Sequence, residues 1–241
     1  MHDTAFAIGS QFLKQYVDVP GALIVELGSC NVNGTIRHSA HEEAIYVGLD
    51  AQPGDGVDLV VEPGQPLPLR NDIADAAVTT SALEHDPFFW MTFLELCRIT
   101  KPGGFIYINA PSNGAFHRYP LDLWRFYPDA GEGLEQWGRH SGHDIRLIES
   151  FVTRHGDDGW NDFVAVFQKG TGPLPGQLLS ELFPATNIRR FGSSEIGNHE
   201  TFPEDMQIIQ QLRAKLADQA DVIAALEARI AALDGTGDAT G

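Results

Sequence analysis

Apolar runs of strand length alternate with helical periodicity over the first 170 residues, and the pattern changes after that. Phe6, Ile8, Phe12, Leu13, Tyr16 and Val17 recur at helical spacing, predicting a helix over residues 4–17 that Pro20-Gly21 stops. A first strand is expected from near Ala22, because the apolar run Leu23 to Val25 gives way, after Glu26, to Gly28. Gly34 to His41 is expected to open a crossover helix, and strands follow over 44–49, 58–61 and 74–80. Phe89, Phe93, Leu94, Leu96, Cys97 and Ile99 predict a helix over 87–100, with Pro87 in its first turn. Lys101-Pro102-Gly103-Gly104 breaks that helix, and Phe105 to Asn109 alternates as a fifth strand. A helix over 128–142 and strands over 144–154 and 162–168 complete the pattern. Such alternation builds an α/β domain around a mostly parallel sheet.

Residues 171–204 are turn-rich with scattered apolar residues, and read as a linker or arm after a domain of residues 1–170. Periodicity then returns. Ile209, Leu212, Leu216, Gln219, Ile223, Leu226, Ile230 and Leu233 alternate spacings of three and four, a heptad seam with one polar interruption. Residues 205–234 are therefore expected to form a coiled-coil helix. Ile mostly at one seam position and Leu at the other favours two strands, hence a homodimer through this segment. The tail over 235–241 is expected to be disordered.

Composition narrows the classes. With 43% hydrophobic residues in 241, the chain can bury a sizeable core. The formal net charge of −17 argues against a nucleic-acid partner, because phosphate binding needs a basic face. No run of eighteen apolar residues is present, so no membrane span is expected, and the N-terminus does not read as a signal peptide. Two cysteines, Cys30 and Cys97, fit a reducing, cytoplasmic setting.

The candidate chemistry gathers around Leu23 to Arg37, where an apolar run meets a turn built on Gly28, Asn31, Asn33 and Gly34. Such turns bring backbone N–H groups up to a cofactor. Asp50 follows about 20 residues later at the expected end of the second strand, where a carboxylate can accept ribose hydroxyls; an Asp that only begins a turn is the alternative. The segment 110–131 is rich in aromatic and polar residues and follows the fifth strand, so it reads as a substrate-facing loop. Its candidate contacts are His117, Arg118, Tyr119, Asp122, Trp124 and Arg125. In the alternative reading, Trp124, Phe126 and Tyr127 are satellite core and Asp122 with Arg125 is a local ion pair. No His, Cys or carboxylate set has convincing metal spacing, the nearest being His85-Asp86 with His117, so no metal is expected.

The Gly/Asn turn, the acidic residue after the second strand, Leu83-Glu84-His85 after the fourth and Lys101-Pro102-Gly103-Gly104 before the fifth resemble class I S-adenosyl-L-methionine-dependent methyltransferases, in particular the type 11 small-molecule group. The likeness covers roughly residues 20–170. It implies a Rossmann-like sheet, mostly parallel with its last strand antiparallel and with helices on both faces, and S-adenosyl-L-methionine as cofactor. It further implies that Glu26, Gly28, Ser29, Asn31 and Asn33 hold the turn at the methionine portion and that Asp50 binds the ribose. Glu62 and Gln65 would approach the adenine, and Ser81 and Leu83 would line the sulfonium end. The chain departs from the family pattern where Cys30 and Val32 replace its second and third glycines. His117, ahead of His85, is the candidate base for an acceptor hydroxyl. The expected activity is methyl transfer to a hydroxyl or amine of a small polar molecule, such as a sugar or glycan intermediate. The rivals are a non-catalytic cofactor-binding subunit acting through its coiled coil and a nicotinamide-dependent oxidoreductase.

Overall fold

The computed structural model describes residues 2–155 and 159–237, in two compact units divided after Glu200. The first unit is one eight-stranded sheet in the order β3-β2-β1-β4-β5-β7-β6-β8. Strands β1 (Leu23–Leu27), β2 (Ile45–Asp50), β3 (Leu59–Val60), β4 (Ala74–Thr80) and β5 (Thr100–Pro111) are parallel neighbours. β7 (Asp162–Lys169) runs antiparallel to β5 and β6 (Ile145–Thr153), and β8 (Ala185–Arg190) runs antiparallel to β6.

Alternation along the strands feeds two apolar cores, one per face. Ile106 and Ile108 of β5 join Val25, Ala77 and Phe167 beneath α2 (Phe89–Ile99) and α3 (Ala130–His140). Their neighbours Phe105 and Tyr107 join Ile24, Ala76 and Val78 beneath α1 (Asp3–Tyr16), whose Ile8, Phe12 and Leu13 are buried. Helices on both faces leave one place for a ligand in such a sheet, the crevice beyond the carboxyl ends of the parallel strands.

Four expectations need correction. Between β1 and β2 the chain makes only a 3₁₀ turn, Ile36–Ser39, which Thr35 caps by accepting from the Arg37 N–H at 3.1 Å. The polar run His38 to Glu43 offers no apolar stripe on which an α-helix could pack. Pro87 precedes α2 rather than opening it, because Leu83–His85 forms its own 3₁₀ turn. Lys101 to Gly104 lies inside β5, at a register irregularity opposite Ala74 and Ala76, with Gly103 at φ 83°. The expected linker over 171–204 supplies β8, whose Ala185, Thr186 and Ile188 are buried, so residues 185–190 of it belong to the sheet.

The second unit is the helix α4 (Glu204–Gly237). Its seven apolar seam residues are exposed, from 47% at Ile209 to 64% at Leu216 and Leu233. Of the tail expected to be disordered, 235–237 continue the helix and 238–241 lie outside the described residues. Among the described residues no helix is long and apolar enough to cross a membrane.

Candidate functional site

A cavity of about 730 Å³ opens at the carboxyl ends of β1, β2 and β4. Its floor begins with the turn after β1. The Gly28 and Ser29 N–H groups donate to the Leu49 carbonyl at 2.8 and 3.1 Å, tying the turn to β2. Gly28 has φ 83°, and a Cβ there would stand 2.3 Å from the Ala82 Cβ, so only glycine lets the turns after β1 and β4 close on each other. Asn31 does not line the cavity. Its side chain accepts from the Gly34 N–H at 3.0 Å and donates to Asp55 at 2.7 Å, which shapes the turn around Cys30 and Val32. Cys30, Val32 and Asn33 do line the wall.

Asp50 ends β2. Its Oδ2 accepts from the Cys30 N–H at 3.1 Å and its Oδ1 from the Gln52 N–H at 3.0 Å, so both oxygens are aimed while each keeps a further lone pair. Glu26 is buried, lines the same cavity and accepts the Tyr46 hydroxyl at 3.0 Å. Burial pushes its carboxyl up to about 7, against the lowering influence of Tyr46 and Arg37. Glu62 and Gln65 sit on the wall after β3, Thr80 at the end of β4, and Ser81 and Leu83 just after it. The buried hydroxyl oxygens of Ser29, Thr80 and Ser81 have no hydrogen-bond partner.

The loop after β5 folds over this opening because its backbone is clamped to the 3₁₀ turn after β4. The N–H groups of Leu123 and Trp124 donate to the Glu84 carbonyl at 2.8 and 3.2 Å. The Leu121 carbonyl accepts a short hydrogen bond from His85 Nδ1. His85 and His117 thereby come edge to face, ring centroids 4.9 Å apart, and both line the cavity with Tyr119, Pro120 and Leu121. The fully buried Glu84 stands against both imidazoles, its Oε1 3.6 Å from His85 Nε2 and 3.7 Å from His117 Nε2. His117 is pushed up chiefly by Glu84, with Asp122 and the Ala115 carbonyl adding to the effect.

Three expected substrate contacts are occupied elsewhere. Asp122 and Arg125 form a two-point pair at 2.5 and 2.9 Å. Asp122 also accepts the His117 N–H at 2.8 Å, so the pair shapes the loop. Arg125 holds the Asp122 carboxyl far below the usual carboxylate range. Trp124 donates its indole N–H to the Asp86 carbonyl at 2.9 Å and packs against Phe89 and Trp90 as satellite core. Arg118 is exposed and does not line the cavity. The sequence does not single out Glu84 as a site residue; the available signal is an acid flanked by Leu83 and His85 shortly after a strand of small apolar residues.

A doubly wound sheet with a glycine turn, an acidic strand end and a cavity at its carboxyl edge has the layout of the open α/β folds that take ligands at that edge. Residues 26–108 match the family described as Methyltransferase domain. An uncharacterized methyltransferase of Mycobacterium bovis is 27% identical over 174 residues, covering 67% of this chain and 62% of its own length. One of Mycobacterium leprae is 25% identical, with 67% and 59% covered, so the match spans about three-fifths of these relatives. The 1,6-didemethyltoxoflavin-N1-methyltransferase of Burkholderia thailandensis, solved with 1,6-didemethyltoxoflavin and S-adenosylhomocysteine, shares the fold. Its TM-score is 0.52 at 15% identity, covering 69% of this chain and 79% of its own. Residues 26–108 thus resemble a methyltransferase domain, and the cofactor this likeness points to is S-adenosyl-L-methionine. The cavity fits that molecule, with a buried carboxylate at Glu26, an aimed one at Asp50 and three unpartnered hydroxyls.

Proposed function

We propose that the chain transfers a methyl group from S-adenosyl-L-methionine to a hydroxyl, or an amine, of a small polar molecule such as a sugar or glycan intermediate. The observation that carries this reading is that a single cavity is lined by Glu26 and Asp50 and also by two imidazoles. In this reading Glu26, Gly28, Ser29 and Asn33 hold the methionine portion, Asp50 the ribose, Glu62 the adenine, and Ser81 with Leu83 the sulfonium end. Bound there, the cofactor supplies an electrophilic methyl on a positively charged sulfur, so the protein's work is alignment and proton removal. His117 takes the acceptor's proton at Nε2, and Glu84 stabilises the imidazolium that results. Tyr119, 60% exposed at the mouth, offers a ring face to a sugar.

The charge of −17 favours a small acceptor over a nucleic acid, and the free thiols of Cys30 and Cys97 favour a reducing compartment such as the cytoplasm. The exposed seam of α4 favours a parallel pair of chains.

Titration calorimetry with S-adenosyl-L-methionine and with NAD on wild type and Asp50→Ala tests the cofactor half. Micromolar S-adenosyl-L-methionine binding that Asp50→Ala loses, with no NAD binding, supports the reading. Binding of neither ligand reduces it to a likeness of fold. Turnover on a panel of hydroxylated and amine acceptors then separates the enzyme from the rival non-catalytic subunit, which binds cofactor and forms no S-adenosylhomocysteine.

A further inference from the structure

Glu84 is a fully buried carboxylate whose oxygens accept no hydrogen bond. A buried carboxylate left so is costly and calls for a compensating positive charge. What faces it is a pair of imidazole nitrogens, at 3.6 and 3.7 Å, both beyond hydrogen-bond length. The tautomers are constrained. His85 Nδ1 bonds a carbonyl, that of Leu121, which can only accept, so Nδ1 carries the hydrogen and Nε2 is a bare lone pair. His117 Nδ1 faces the Ala115 carbonyl at 3.5 Å and Asp122 Oδ2 at 3.6 Å, two more acceptors, so its Nε2 is left in the same condition. Two nitrogen lone pairs and a carboxylate oxygen converge, with all three donor atoms within 4.8 Å of one another. A single proton relieves one of these contacts; a cation relieves all three.

We propose that Glu84, His85 and His117 hold a divalent transition-metal ion. Bond lengths of roughly 2.0–2.2 Å to nitrogen and oxygen put tetrahedral donors about 3.4 Å apart, so the two Glu84–imidazole separations of 3.6 and 3.7 Å need only a small contraction, and the two imidazoles, with donor atoms within 4.8 Å, must close to the same spacing. Two imidazoles and one carboxylate suit zinc, iron or nickel better than magnesium or calcium, which take oxygen. The Leu121 carbonyl on His85 Nδ1 is the outer-shell contact that orients a metal-bound histidine.

Three protein ligands leave coordination positions open, and an ion between His85 and His117 borders the cavity that both line. Its role there rests on the methyl-transfer reading. The acceptor hydroxyl binds the ion and releases its proton to solvent. The oxygen lone pair then forms the new C–O bond as the methyl C–S bond breaks, giving a methyl ether and S-adenosylhomocysteine with the ion unchanged. With the ion in place its Lewis acidity replaces the histidine base.

The test uses the full chain, stripped with a chelator and titrated with Zn²⁺ by calorimetry and with Co²⁺ by visible spectroscopy. The expected result is one ion per chain with a tetrahedral or five-coordinate Co²⁺ spectrum lacking thiolate bands, and affinity reduced roughly 10- to 100-fold or more in Glu84→Gln and in His117→Ala. His117→Ala lies in the exposed loop, so it keeps the test informative if Glu84→Gln misfolds. Equal binding by wild type and His117→Ala, a thiolate band, or no saturable binding overturns the site. S-adenosyl-L-methionine titrated into the same samples keeps the two readings apart. Loss of cofactor binding with the ion retained sinks methyl transfer alone, and the reverse sinks the ion alone.

Discussion

Glu26 lines the cavity with 3% of its surface exposed, and burial holds its carboxyl near 7 instead of the usual carboxylate range. If its ionised form pairs with the amino group of the bound methionine portion, affinity for S-adenosyl-L-methionine should rise as pH climbs through 7. A group that titrates there loses roughly tenfold in its charged population between pH 8 and 6, so calorimetry across that window should record a fall approaching tenfold. Glu26→Gln should bind more weakly at pH 8 and show no such slope. The folding side carries the opposite sign. A carboxyl raised by burial binds its proton more tightly in the folded than in the unfolded chain, so its ionisation lowers stability progressively from about pH 4.5 to 7 and fully above that. The Tm of Glu26→Gln relative to wild type should therefore increase between pH 5 and 8. A flat difference would mean that the Glu26 carboxyl is not held near 7.

Elements place these residues, and the markers that reveal an element are not always the ones that do chemistry. Lys101 to Gly104 lies at the end of β5 remote from the cavity. Gly103 has φ 83°, and a Cβ on Gly104 would meet the Asp75 carbonyl at 2.8 Å. Asp75 in turn pairs with Lys101 and accepts the Leu23 N–H at 2.9 Å, so this bulge fastens β1, β4 and β5 together. Gly103→Ala should cost about 1–2 kcal/mol for its left-handed backbone, a Tm loss of several degrees by calorimetric scanning, with cofactor affinity unchanged. A different outcome belongs to the loop after β5. Asp122→Ala removes the Arg125 pair and the acceptor for the His117 N–H, so kcat/KM should fall at least tenfold while the cofactor Kd stays within about twofold. Equal losses in both would show that the loop also supports the cofactor pocket.

The same contrast explains what could be read in advance. β4 was legible because a buried parallel strand is a continuous run of small and β-branched residues, and Gly28 and Asp50 because chain order fixes which strand ends meet. β8 was not, since Ala-Thr-Asn-Ile-Arg-Arg is an edge strand whose half-polar pattern looks like a loop. Nor could spacing separate Asp122 and Arg125, which satisfy each other, from His117, which reaches Glu84 only through the backbone clamp on Leu123 and Trp124.

At the scale of the whole molecule, 34 residues of α4 carry a seam from Ile209 to Leu233 whose apolar members are all exposed. A helix in water draws most of its stability from packing an apolar stripe, and the proposed self-pairing would supply that packing. Ile at 209, 223 and 230 against Leu at 212, 226 and 233 is the arrangement that parallel two-stranded coils prefer, with Gln219 the one polar interruption. The full chain should therefore sediment as a dimer at micromolar concentration. Leu216→Lys combined with Leu226→Lys buries two like charges in the seam and should return it to a monomer, with a loss of helical signal in far-ultraviolet dichroism. Cofactor affinity should stay within about twofold, because every residue assigned to the cavity precedes the division after Glu200. A wild-type chain that sediments as a monomer with α4 helical would remove self-pairing and leave the seam to a different protein. A double variant that stays dimeric would move the interface onto the first unit. Loss of cofactor binding together with dimerisation would mean that a second copy completes the site.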